Sequence, residues 1–155
     1  GANIAQTVNV LQAMVLTEDG GERLVLTPTY HVFEMYREHQ DATSLPVSLS
    51  AEEYCWGDAA IVGLSASASK GAGGTLLVTL ANLHPSREAS VEVEVRGMAV
   101  AGSRCRLLTG AAITAHNTFD APASVAPVSM QAAPPRDNRM TLKVPARSVV
   151  ALQLD

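Results

Sequence analysis

The run "TPTYHVFEMYREHQDA", Thr27 to Ala42, holds two histidines, two glutamates and an aspartate within eleven residues. On a helix, Glu34 and Glu38 lie one turn apart, and glycosidases work with a pair of carboxylates about 5 to 9.5 Å apart. His31 and Glu34 also have the His-x-x-Glu step of a helical metal-ligand pair. Each chemistry meets a geometric objection. Two carboxylates on one convex helix face cannot flank a glycosidic bond from opposite sides. His31 and Glu34 are only two ligands, and His39 lies two turns on, about 12 Å along a helix axis. The expectation is therefore hydrogen bonding at a seam, with neither catalysis nor metal binding here.

Three other runs carry polar or aromatic groups worth weighing. In "AHNTFDAP", His116, Asn117 and Asp120 are close in sequence. The expected role is structural: Asn117 or Thr118 caps a turn, Phe119 anchors it in a core poor in aromatics, and Asp120 precedes a break. In "EEYCWGD", Tyr54 and Trp56 could stack on a sugar ring, but a partly buried anchor near the domain seam is the expected use. "KGAGG" lacks phosphate-loop spacing and reads as a turn. Serines are abundant, yet no Gly-x-Ser-x-Gly occurs. Cys55 and Cys105 match no Cys-x-x-Cys pattern and read as two small thiols, paired only if the fold brings them together.

The elements that must position these groups fall into two parts. "ANIAQTVNVLQAMVL" reads as a buried strand and its sequel, and "LTEDGGERLVL" as a hairpin around Asp-Gly-Gly. A helix follows, with Thr27 as N-cap, Pro28 at the first helical position and Val32, Phe33, Met35, Tyr36 and His39 as its apolar face. "DATSLP" ends it. Beyond Pro46 come "VSLS", "IVGLSASAS", "TLLVTLANL", "SVEVEVRG", "RCRLLTG", "MTLKV" and "SVVALQL". They are short, β-branched or alternating, and are separated by turn residues. "APASVAPVSMQAAPPRD" reads as a long surface connection. The fold class is mainly β: an antiparallel β-sandwich preceded by a strand–hairpin–helix unit, with residues 1–42 and 43–155 as the two parts.

Composition narrows the partners. In 155 residues, 47 % are hydrophobic and only 4 % aromatic, so a core must be built mostly from Val, Leu, Ala and Ile. The net charge is −4 and no basic block occurs, which argues against nucleic acid and anionic membranes. No apolar run is long enough to span a bilayer. No signal peptide opens the chain, so a cytoplasmic location is expected.

"ANIAQTVNVLQAMVLT", "LTPTYHVFEMYREHQDA", "SASAS", "TLLVTLANLHP" and "LTGAAITAHNTFDAP" together resemble the C-terminal region of α-L-arabinofuranosidases of glycoside hydrolase family 51. The resemblance covers nearly the whole chain. It implies a (β/α)8 barrel followed by a jelly-roll β-sandwich. It also implies removal of terminal α-L-arabinofuranosyl groups from arabinose-containing saccharides with retention of configuration. Residues 1–42 would be the last β/α unit of that barrel, and both catalytic glutamates would lie upstream, so no catalytic residue is expected in this chain. Gln6, at the end of what would be the eighth strand, resembles a sugar-contacting glutamine, a group that can both donate and accept. Asn9 and Gln12 are nearby amides whose expected role is loop hydrogen bonding. The resemblance implies no cofactor. The implied partners are the upstream barrel and, because the family is often oligomeric, further copies of the parent enzyme. The alternative is a non-catalytic module that binds carbohydrate or supports structure and oligomerisation.

Overall fold

The computed structural model describes residue 4, residues 6–10 and residues 13–155. Twelve strands and one helix are defined among them. A short hairpin, β1 (Val15–Thr17) and β2 (Leu24–Leu26), opens the described elements. Its turn uses Gly20 at a φ of 64°, a conformation that costs glycine little. Helix α1 (Pro28–Tyr36) follows and runs into a 3-10 turn over Arg37–His39. The predicted cap is present: the Thr27 hydroxyl accepts from the Tyr30 N–H, and Pro28 opens the helix.

The main sheet has six antiparallel strands. In spatial order these are β10 (Val128–Met130), β9 (Ser103–Thr109), β12 (Ser148–Leu154), β7 (Leu76–Asn82), β6 (Leu64–Lys70) and β3 (Thr43–Leu45). A two-stranded sheet, β8 (Ala89–Glu94) with β11 (Arg139–Val144), covers part of one face. Asp137 and Asn138 sit between Arg136 and Arg139, both at positive φ, as a two-residue hairpin turn of the mirror-image type requires. A second hairpin, β4 (Glu53–Trp56) with β5 (Ala59–Val62), pairs with neither sheet.

Strand β12 shows why the core sits where it does. Val150, Leu152 and Leu154 point to one face and pack with Leu80, Leu142 and Val144 between the two sheets. Ala151 and Val149 point to the other face, against Met35 of α1, Leu77, Leu108 and Val125. A strand buried on both sides reads as a continuous apolar run, and "SVVALQL" does. Strand β8 is covered on one side only and alternates accordingly. The molecule therefore has three layers: the small sheet, the six-stranded sheet, and α1 on its outer face.

Several expectations need correction. The segment "ANIAQTVNV" forms no strand among its described residues. Only Val8 makes a bridge, to Val15, and Val8 and Val10 are exposed. Thr7 and Asn9 bond the backbone at Met14 and Val15, and this contact is limited to a single bridge. "VSLS" forms no strand, while β3 lies just before it. β10 forms inside the supposed surface connection because its backbone finds the edge of β9. Cys55 is exposed on β4 and Cys105 is buried in β9; neither is in a disulfide.

Strand register sorts the loops onto two ends of the sandwich. Asn82, Leu64, Thr109 and Ser148 meet at one end. The β4–β5 hairpin and the loops 83–88, 110–127 and 145–147 all lie there. The β1–β2 hairpin joins them, since the Asn117 amide donates to the Leu26 carbonyl and Arg23 reaches Asp120. Leu76, Lys70, Ser103 and Leu154 meet at the opposite end, with the loops 71–75 and 95–102.

Candidate functional site

Glu34 of α1 and Glu38 and His39 of the following 3-10 turn are engaged by the six-stranded sheet. Glu34 accepts two hydrogen bonds from the Arg106 guanidinium, at 2.9 and 2.8 Å. This forked pair holds the Glu34 carboxyl below the usual carboxylate range and raises Arg106. Glu38 accepts from the Gln153 amide. The two glutamates thus clamp α1 to β9 and the following 3-10 turn to β12, as a seam role requires. His39 lies on the sheet with its two ring nitrogens on the Ser69 and Thr79 hydroxyls, at 2.7 and 3.0 Å. Both hydroxyls are buried, so the imidazole satisfies groups that would otherwise be costly to bury. Burial lowers the pKa of His39. It also lowers that of His31, partly opposed by Glu34. No group of three or more His, Cys, Asp or Glu could hold a metal among the described residues.

Gln6 is exposed, just before Thr7 and outside any regular element. The Thr7 carbonyl accepts the N–H groups of Met14 and Val15, which fixes the loop that follows Gln6. Asn9, at a φ of 56°, makes two reciprocal 2.7 Å bonds with Thr17, the expected loop role. Gln12 lies outside the described residues.

Asn117 is the structural centre of "AHNTFDAP". It is 3 % exposed, donates to the Leu26 and Val125 carbonyls, and accepts from the Val125 N–H. His116 bonds only the nearby Thr114 carbonyl. Phe119 is a correction: it is half-buried under the Arg23 guanidinium, 5.4 Å from its ring centre, and not a core anchor. Trp56 is 78 % exposed, on a hairpin that pairs with neither sheet, so within this chain its indole has no cover. Tyr54 meets the His84 ring edge-on, with 5.1 Å between centres.

Three structural residues were invisible in the sequence reading. Asn82, at the end of an apolar strand, bonds the Arg87 and Val144 carbonyls and the His84 N–H. Arg106 looked like an ordinary strand charge. Arg147, at a φ of 53°, spans the Pro85 and Ala111 carbonyls. An amide closing an apolar run was the one usable signal, for Asn82.

Two grooves flank β8. One, of about 500 Å³, has His84, Arg87, Glu52 and Glu88 on its wall. Its Arg87 is tied to the His84 ring and to Glu52, so the charges serve one another. The other, of about 850 Å³, is lined mainly by Leu45, Val47, Leu49, Val78 and Val93. Neither holds a nucleophile with a base beside it. No helix among the described residues is long and apolar enough to cross a membrane.

Comparison with known proteins places this arrangement in a family. The family model of the α-L-arabinofuranosidase C-terminal domain matches residues 1–148. An intracellular exo-α-L-arabinofuranosidase of Bacteroides ovatus is 38 % identical over 154 residues, covering 99 % of this chain and 30 % of that protein. The crystal structure of the GH51 arabinofuranosidase from Xanthomonas axonopodis pv. citri superposes with a TM-score of 0.93 at 42 % identity. That match covers 99 % of this chain and 31 % of the other. A thermostable GH51 α-L-arabinofuranosidase from Thermotoga petrophila shares the fold, with a TM-score of 0.81 at 23 % identity. The chain spans about a third of the length of these relatives. With the model matching nearly end to end, this chain belongs to the C-terminal domain family of the GH51 α-L-arabinofuranosidases.

Proposed function

We propose that this chain serves as the C-terminal β-sandwich of a retaining α-L-arabinofuranosidase that releases terminal arabinofuranosyl groups from arabinose-containing saccharides. The observation that carries the reading is the near-complete match to such enzymes, at about 40 % identity, over only a third of their length. The chemistry would be a double displacement through a covalent glycosyl-enzyme, using two carboxylates contributed by the rest of the enzyme. The clamped state of Glu34 and Glu38 supports this, since neither is free to act on a substrate. Residues 1–42 would complete a barrel, and residues 43–155 would form the sandwich. Gln6, exposed beside a loop fixed at Thr7, would contact the sugar through its amide.

The pure 155-residue chain is expected to leave 4-nitrophenyl α-L-arabinofuranoside intact, while the full-length enzyme hydrolyses it. In that enzyme Gln6→Ala should raise KM or lower kcat. Turnover by the short chain alone overturns the reading. The exposed Trp56 favours a second reading, a carbohydrate-binding module, but it presents one indole rather than a row of rings. Specific heat on titrating arabinan into the short chain would establish that module.

A further inference from the structure

A side chain that meets a substrate must be held in place, since a misplacement of about 1 Å can cost a hundredfold in rate. Gln6 is exposed and belongs to no regular element, so its backbone takes its position from the residues that follow. The Thr7 carbonyl accepts from the Met14 and Val15 N–H groups at 2.9 and 3.0 Å, and the Asn9 N–H donates to the Val15 carbonyl at 3.0 Å. These bonds make the parallel bridge between Val8 and Val15.

The backbone pairing then stops, because the chain turns at Asn9, whose φ is 56°. Asn is among the few side chains that reach this left-handed conformation at low cost. From there the side chain continues the pairing. The Asn9 Oδ1 accepts from the Thr17 N–H, and its Nδ2 donates to the Thr17 hydroxyl, each at 2.7 Å. An amide side chain thus stands in for the next backbone rung. Asn9 and Thr17 are both exposed, and water would serve their polar atoms equally well. Burial does not demand the pair; what it supplies is fixed geometry.

Strand β1 is anchored in turn. Thr27, the cap of α1, donates its N–H to the Met14 carbonyl at 3.0 Å and its hydroxyl to the Ala13 carbonyl at 2.7 Å. Ala13 is buried. Val15 pairs with Leu26, whose carbonyl accepts from the buried Asn117 amide. A continuous line of contacts therefore runs from Asn117 through β2, β1 and Thr17 to Asn9, and ends just beyond Gln6.

We infer that Asn9 is a positioning residue: its paired hydrogen bonds to Thr17 set where Gln6 presents its amide to the sugar. The inference rests on the proposed sugar contact of Gln6. Asn9 acts through Gln6 and not on the substrate, because both polar atoms of its amide are already engaged by Thr17. A site held this way loses less freedom when the sugar binds.

The test uses the full-length enzyme. Asn9→Gly keeps the left-handed backbone accessible and deletes the amide. It should lower kcat/KM for 4-nitrophenyl α-L-arabinofuranoside by about tenfold, through the same parameter, KM or kcat, that Gln6→Ala changes. Asn9→Asp keeps an acceptor for the Thr17 N–H and tolerates the same φ, so it should stay within about threefold of wild type. In a Gln6→Ala background, Asn9→Gly should add less than about twofold, an outcome that a merely structural role would not give. The whole loss repeated in that background overturns the inference, and so does a wild-type rate for Asn9→Gly. Thermal melting identifies a variant that fails to fold. Thr17→Val, which removes only the hydroxyl, then runs the same cycle with a smaller loss expected. A silent Gln6→Ala removes the sugar contact and the inference with it. A damaging Gln6→Ala beside a neutral Asn9→Gly refutes the positioning and leaves the contact standing.

Discussion

The two ends of this sandwich obey different rules. At the far end, loops 71–75 and 95–102 are rich in glycine and close with exposed polar contacts, such as the Thr75 hydroxyl on Asp155 at 2.9 Å and Arg104 on the same carboxylate. That is an ordinary solvated sheet edge, where each interaction is worth little. At the near end the loops are pinned by buried amides, yet the outermost side chains are Trp, Ile, Leu and Val. Rigid backbone beneath exposed apolar groups is the opposite of what a free loop needs. The difference separates an end closed by exposed polar contacts from one where buried amides hold loops that carry exposed apolar side chains.

The comparison breaks first if the buried amides are not the pins. Asn117→Ala strands the Leu26 and Val125 carbonyls and the Val125 N–H. It should cost the isolated chain about 2–3 kcal/mol in urea unfolding, while Thr75→Ala at the far end should stay within about 0.5 kcal/mol. Similar losses at both sites would erase the contrast.

A smaller effect is expected at the α1 seam. Glu34→Gln removes the charged half of a partly exposed forked pair and should cost about 0.5–1 kcal/mol at pH 7. The folded-state pKa of Glu34 is depressed, so its contribution is present above the unfolded carboxylate range. It is lost as pH falls through the folded value. The urea midpoints of wild type and Glu34→Gln should therefore converge in acid.

His39 gives a second acid dependence in a different window. Its pKa is lowered on folding, so the unfolded chain binds more protons near pH 6. Stability should fall as pH drops below about 6.5, and a His39→Gln variant should show a shallower fall over that interval, measured by thermal unfolding.

The smallest effect should come from the most conspicuous residue. Trp56→Ala in the isolated chain should change stability by no more than about 0.5 kcal/mol, because the indole touches little of the domain. A loss of several times that amount would mean the hairpin tip packs back on the sandwich.

Much of the fold is legible in sequence, and for identifiable reasons. Thr27-Pro28 caps α1, the alternation from Ser90 to Glu94 follows from one buried face, and the doubly buried run of β12 is continuous in apolar residues. These are local patterns, set by one element and one environment. Phe119 was misjudged because burial is not local: an aromatic residue does not say whether its loop folds into the core or lies under a surface cation. β10 was hidden because a Pro- and Ala-rich stretch becomes a strand only when a free edge of β9 is there to pair with. The seam was half legible, since helix geometry alone disqualified Glu34 and Glu38 from catalysis but could not name Arg106 and Gln153 as their partners.

The sequence by itself determined the class of the domain, the helix with its cap, the turns, and the family from its motifs. Each depends on side-chain period, backbone preference or residue order along the chain. Only the tertiary structure decided that His39 serves buried hydroxyls, that Asn117 fastens the amino-terminal hairpin to a loop about ninety residues away, and that Trp56 and Ile113 stand exposed. Those facts depend on which distant segments share a face, and hydrogen bonds and burial are settled only once register has brought such segments together.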